Sequence, residues 1–139
     1  MKTVCVVGAG GVGGYFGAML AQHPNVQLTL LLRPQSKNYA PIRQHGLRVR
    51  TPTGDIRATP RLATTPDEVG HVDYVLVCCK TYDLEKLAPT LLPLCRPASD
   101  DGAIDATAVI PLLNGLDAPA KLADALGAPY VLGGLCLLV

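Results

Sequence analysis

Three glycines set the first chemical constraint. Gly8, Gly10 and Gly13 lie in the run Gly8-Ala9-Gly10-Gly11-Val12-Gly13, a G-x-G-x-x-G spacing. The residues before it, Thr3-Val4-Cys5-Val6-Val7, read as an apolar strand, and the stretch from about Val12 to Gln22 reads as a helix. A glycine turn between strand and helix suits the holding of a pyrophosphate. Gly8 lets the chain leave the strand in a tight turn, Gly10 brings backbone without a Cβ to a phosphate, and Gly13 lets the helix pack closely on the sheet. The unpaired N–H groups of the first helical turn sit at the positive end of the helix dipole and attract an anion. Gly8, Ala9, Gly10, Gly11, Val12 and Gly13 are therefore candidate contacts to a dinucleotide. With 14 glycines in the chain the spacing alone is weak. Its place between a strand and a helix favours a site over a plain glycine-rich turn.

The other candidates stand at the carboxyl ends of further strands, where open α/β sheets bind ligands. Val26 to Leu32 reads as a buried parallel strand, followed by Arg33 and Pro34. Where an NAD site carries an acidic residue for the ribose 2′-hydroxyl, no carboxylate occurs between Val26 and Asn38. Arg33 offers instead a guanidinium fork suited to a 2′-phosphate, so NADPH is the expected cofactor, against the reading of a solvated arginine at a strand end. Lys80 follows the apolar run Asp73 to Cys79 and is placed to reach a phosphate, a ribose or a substrate carboxylate, or simply to extend into water. Asn114-Gly115 follows the run Thr107 to Leu113. Asn114 is either a hydrogen-bonding group for a nicotinamide ribose or carbonyl, or part of an ordinary Asn-Gly turn.

The elements that must position these groups follow from patterning. Residues 35–45 read as a short helix or irregular crossover. Gly46 to Arg50 and Asp55 to Ala58 alternate apolar and polar around Thr51-Pro52-Thr53-Gly54, which predicts a half-exposed β-hairpin. Arg43, Arg48, Arg50, Arg57 and Arg61 are read as a solvated face, and His45 and His71 as isolated, with no metal site. Leu84 to Cys95 reads as a helix shortened or broken by Pro89 and Pro93, residues 117–126 as a helix, and Tyr130 to Val139 as a final strand. Pro111 is awkward inside a central strand. This order predicts an α/β fold, a Rossmann-type doubly wound, mostly parallel sheet with a β-hairpin insertion, forming a single domain over residues 1–139.

Composition narrows the function classes. Of 139 residues 49% are apolar, enough for one core. With 12 basic and 11 acidic residues the net charge is +1, which gives neither nucleic acid nor a membrane surface an electrostatic handle. No apolar run reaches the ~20 residues a bilayer span needs, and the glycine-cut N-terminal run is not expected to be a signal peptide. The 5 cysteines form no C-x-x-C pair and read as buried thiols of a cytoplasmic protein. Cys78 and Cys79 are neighbours in a strand and should point to opposite faces.

The stretches Gly8 to Ala18, Leu31-Leu32-Arg33, Cys79-Lys80-Thr81-Tyr82-Asp83, Leu113-Asn114-Gly115-Leu116-Asp117 and Leu132-Gly133-Gly134-Leu135-Cys136 together resemble the ketopantoate reductases (2-dehydropantoate 2-reductases) over essentially the whole chain. The resemblance implies NADPH-dependent reduction of the 2-keto acid 2-dehydropantoate to pantoate, in pantothenate biosynthesis. It implies that Gly8 to Gly13 hold the pyrophosphate, that Arg33 holds the 2′-phosphate, and that Lys80 and Asn114 contact the cofactor, Asn114 also lying near the substrate. Val139 falls where that family's backbone touches the nicotinamide half. Members of the family are roughly twice this long, and a C-terminal helical domain supplies their catalytic lysine and substrate-fixing groups. No catalytic residue is therefore expected in this chain, which alone should be inactive and should self-associate through the apolar surface such a domain would cover. A non-catalytic nucleotide-sensing module and the cofactor domain of another 2-keto-acid or hydroxy-acid dehydrogenase stay open as alternatives, because fold does not fix substrate.

Overall fold

Short runs rich in valine and leucine build the centre of the molecule, because only strands covered on both faces can be apolar throughout. The computed structural model describes residues 1–97, 106–134 and 136. Strands β1 (Lys2–Val7), β2 (Val26–Leu31), β5 (Arg61–Ala63), β6 (Tyr74–Val77) and β7 (Ala108–Pro111) form one 5-stranded sheet in the order β5-β2-β1-β6-β7. All of its pairings are parallel, with Val7 opposite Leu31 on one side and Val77 on the other. Strands β3 (Leu47–Thr51) and β4 (Gly54–Ala58) pair antiparallel as a separate hairpin.

Alternation along β1 divides the core into two layers. Cys5 and Val7 face a cluster with Val75, Val77, Val109, Leu84, Leu91, Leu94, Leu122 and Leu126. The last five come from α4 (Leu84–Leu87), the 3₁₀ segment Ala88–Leu94 and α5 (Ala118–Leu126). Val4 and Val6 face the other cluster, with Leu28, Leu30, Leu76, Ala18 of α1 (Gly11–Leu20) and Ile42 of α2 (Tyr39–His45). Leu47 of the hairpin joins this second cluster and lies against Gly14 and Gly17 of α1. The hairpin is thus the expected insertion, placed in the chain between β2 and β5, and it serves as a cover on α1. Cys78 packs on the second cluster and Cys79 on the first, the opposite faces expected of neighbouring strand residues. All the cysteines are free thiols.

Two details differ from the sequence reading, one at Arg61 and one at the last expected strand. Arg61 does not belong to the hairpin's solvated face but opens β5, a 3-residue edge strand that leads into α3 (Pro66–Val69). So short a strand, directly after Pro60, carries no readable alternation. The stretch from Leu84 passes from α-helix to 3₁₀ at Ala88, the break expected from Pro89 and Pro93.

The strand expected over Tyr130–Val139 is not formed within its described part: Val131 makes one parallel bridge to Val109, and the Leu132 N–H donates to the Val109 carbonyl at 2.9 Å. The next rung on that edge needs an N–H at residue 111. The Ala108 and Leu112 N–H groups donate inward to the Asp73 and Val77 carbonyls, which turns the Pro111 nitrogen outward, and proline has no proton to give. Pro111 therefore sits in the outer strand among the described residues, where it breaks no inner hydrogen bond and gives no donor for that next rung. Residues 135 and 137–139 lie outside the described residues. Among the described residues no helix is long and apolar enough to cross a membrane.

A polar knot pins the amino ends of the strands. The Asp73 carboxylate accepts the Thr3 N–H at 2.7 Å and the Thr3 hydroxyl at 2.8 Å, with Lys2 Nζ at 3.6 Å and Arg96 Nη1 at 3.5 Å. The donors on Thr3 hold the Asp73 carboxyl at about 2, below the ordinary 3.8. Thr107, buried, accepts the Arg96 N–H at 2.7 Å and donates to the Val72 carbonyl.

At the carboxyl end the fold depends on one close approach. A Cβ on Gly13 would stand 1.9 Å from the Gly8 carbonyl oxygen. Gly8 itself has φ +94°, which disfavours any L side chain.

Two outcomes follow. Gly13→Ala forces α1 off the sheet and should cost about 3 kcal/mol or more in urea unfolding. Asp73→Ala should cost about 2 kcal/mol near neutral pH. Because the folded pKa lies below the unfolded one, this contribution is present above about pH 4 and lost as pH falls toward 2. The unfolding free energy of Asp73→Ala should accordingly fall less over that acid interval than that of the parent.

Candidate functional site

The carboxyl ends of β1, β6 and β7 open onto a cleft of about 230 Å³. Its floor is the turn at Gly10, Gly11 and Val12, and its walls are Cys78 to Thr81 after β6 and Leu112 to Asn114 after β7, with Cys136 alongside. Gly10 is the N-cap of α1 and offers no side-chain cap, and the first helical turn carries no acidic residue. The first N–H groups of a helix have no partner within it, so the positive end of α1 stands at the cleft without internal neutralisation. A Cβ added at Gly10 or at Gly11 would meet nothing within 4 Å. Internal packing therefore does not require glycine at these two positions, whereas Gly8 and Gly13 are fixed by it. Open backbone at a helix N-terminus is the arrangement that admits a phosphate.

Neighbouring groups hold the turn and the walls in place. The Ala9 carbonyl, itself nearly buried, accepts the Asn38 side-chain amide at 2.7 Å, which ties the glycine turn to the segment ahead of α2. The Thr81 hydroxyl donates to the Asn114 carbonyl at 2.8 Å and joins the two walls. Lys80 and Asn114 both line the cleft, with exposed side chains. Burial pushes the Cys78 thiol up to about 12 and the Cys79 thiol up to about 11. Both are neutral at physiological pH, so neither is a ready nucleophile.

Arg33 lies beyond the end of β2, with a side chain 69% exposed. Its Nη2 stands 3.5 Å from an oxygen of Asp83, which ends the 3₁₀ turn Thr81–Asp83 after β6. The structure thus brings Gly10, Gly11, Val12, Lys80 and Asn114 to one cleft, with Gly8, Ala9 and Gly13 as the frame beneath it. It places Arg33 beside the Lys80–Asp83 wall. Val139 lies outside the described residues. Sequence reading assigned no role to Asn38, to the Thr81 hydroxyl or to Asp83. An asparagine just ahead of a helix was the only local signal for the first, and the other two contacts join residues 33 and 50 positions apart in sequence.

The chain matches the family model described as ketopantoate reductase PanE/ApbA over residues 4–139. It is 39% identical over 132 residues to the 2-dehydropantoate 2-reductase of Halobacterium salinarum, covering 94% of this chain and 40% of that protein. The crystal structure of 2-dehydropantoate 2-reductase from Porphyromonas gingivalis W83 superposes with a TM-score of 0.81 at 34% identity, over 96% of this chain and 46% of that one. That of Geobacter metallireducens GS-15 gives a TM-score of 0.78 at 32% identity, over 99% and 42%. The chain therefore spans less than half the length of these relatives. The parallel sheet, the glycine turn that opens α1 and the cleft above it accompany sequence matches along nearly the whole chain, and the chain belongs to the ketopantoate reductase family.

Proposed function

We propose that this chain is the dinucleotide-binding part of an NADPH-dependent reductase of 2-dehydropantoate or a closely related 2-keto acid. The observation that carries the reading is the cradle at Gly10 and Gly11, open where a Cβ would fit, at the N-terminus of a helix whose own first turn carries no acidic residue. The residues fit the nucleotide. The turn from Gly8 to Gly13 would hold the pyrophosphate through backbone N–H groups, Lys80 would add a cation at the rim, and Arg33 would take a ribose 2′-phosphate. Asn114, fixed by Thr81, would orient the reacting end beside the substrate. The bound coenzyme supplies a hydride to the keto carbon.

The chain's own part is to bind, to orient and, with the apolar walls of Leu112 and Leu113, to keep water from one side of the cleft. We propose that the acid and the substrate-holding groups come from a part of the protein beyond these residues, in keeping with the longer relatives.

Isothermal titration tests this. NADPH should bind, and Gly10→Ala should weaken it roughly tenfold or more by crowding the pyrophosphate while the melting temperature stays within about 3 °C. Arg33→Ala should weaken NADPH roughly tenfold, a modest loss because water screens the exposed guanidinium, and leave NADH little changed. Absence of binding by either nucleotide, or an equal loss of both on Arg33→Ala, would contradict the assignment. With 2-dehydropantoate and NADPH the purified chain should show no turnover above background, read as absorbance at the reduced nicotinamide band.

A further inference from the structure

The local sequence after β2 has no carboxylate for a ribose 2′-hydroxyl, but the fold delivers one from elsewhere. In the sheet order, β2 and β6 flank β1 on either side. Chain segments leaving β2 and β6 therefore reach toward each other across the glycine turn that leaves β1. There the Asp83 carboxylate comes to 3.5 Å from the Arg33 guanidinium, with side chains 30% and 69% exposed. Asp83 is fixed from behind: its N–H donates to the Lys80 carbonyl at 2.9 Å, and Lys80 lines the cleft. A carboxylate and a guanidinium are the two groups that separate the two nicotinamide dinucleotides, the first accepting a 2′-hydroxyl and the second pairing with a 2′-phosphate.

Resting on the dinucleotide reading above, we propose that Asp83 is a specificity-determining residue, which admits NADH by accepting its ribose 2′-hydroxyl and weakens NADPH by competing with the 2′-phosphate for Arg33. The pair is single-contact and solvated, so it is weak, and a dianionic phosphate able to take the guanidinium fork displaces it. Like-charge repulsion from the displaced carboxylate then lowers the affinity for NADPH without abolishing it. The site accepts both nucleotides, and the preference between them is set by two side chains 50 residues apart in sequence.

The test is titration of NADPH and NADH against the parent chain, Asp83→Asn, Arg33→Ala and the double variant, with melting temperatures alongside. Asp83→Asn keeps the shape and removes the charge. It should weaken NADH severalfold and strengthen NADPH, so that the affinity ratio in favour of NADPH rises roughly tenfold. Arg33→Ala in the Asp83→Asn background should abolish the gain for NADPH. An unchanged ratio, or an equal loss of both nucleotides, would overturn the role of Asp83 while leaving the dinucleotide site standing. A fall in NADPH affinity on Asp83→Asn would also overturn it, because Asp83 would then be aligning Arg33 and not competing for it. Failure of the parent chain to bind either nucleotide would overturn both the site and this inference.

Discussion

The approach of Gly13 to the Gly8 carbonyl is the constraint on which the rest depends. At a Cβ distance of 1.9 Å no other residue fits at position 13 without moving backbone. That contact sets where α1 starts and how closely it lies on the sheet. With the helix in place, Ala18 and Gly17 reach the leucines of β2, and the hairpin residue Leu47 closes over them. The same contact leaves Gly10 and Gly11 at the lip of the cleft with nothing against them. Close packing beneath the turn and open space above it are thus two consequences of one short stretch.

The sheet treats its two ends differently. At the amino end the polar groups satisfy one another: Asp73 gathers Thr3, Lys2 and Arg96, and Thr107 links its neighbouring carbonyls and amides. At the carboxyl end Lys80 and the unpaired N–H groups of α1 face solvent, and the exposed Arg33 guanidinium meets one carboxylate, that of Asp83. Close internal compensation at one end and a weakly compensated positive end at the other suit a domain that is rigid below and binds an anion above.

Much of this was legible in the sequence, for identifiable reasons. Strands β1, β2, β6 and β7 are apolar runs that follow no helical period, and the glycine turn declares itself by spacing and by its place between strand and helix. The hairpin was legible as alternation around Pro52 and Gly54, although its attachment to α1 was not. What escaped depends on distance along the chain. The β5 strand is held by pairing to β2 and has too few residues for a pattern of its own. The donor that Pro111 withholds from the outer edge depends on which way its nitrogen turns, a matter of register. The clamp of Asn38 on Ala9, the tie of Thr81 to Asn114 and the meeting of Asp83 with Arg33 appear only when β-strand order brings the loops together. No carboxylate occurs between Val26 and Asn38, but strand order brings Asp83 to Arg33 from 50 residues away.

The central claim is that the cleft above the glycine turn holds the pyrophosphate of a dinucleotide. The most direct measurement is a ¹H–¹⁵N correlation spectrum of the labelled chain during addition of NADPH, with the backbone amides assigned. The account predicts saturable shifts concentrated at Gly10, Gly11, Val12 and Gly13, with smaller ones at Lys80, Thr81 and Asn114, and little change at Thr3 and Asp73 at the opposite end of the sheet. Shifts centred away from the glycine turn, on the α4–α5 surface around Glu85 and Lys121 for example, would contradict it, as would a spectrum that does not change.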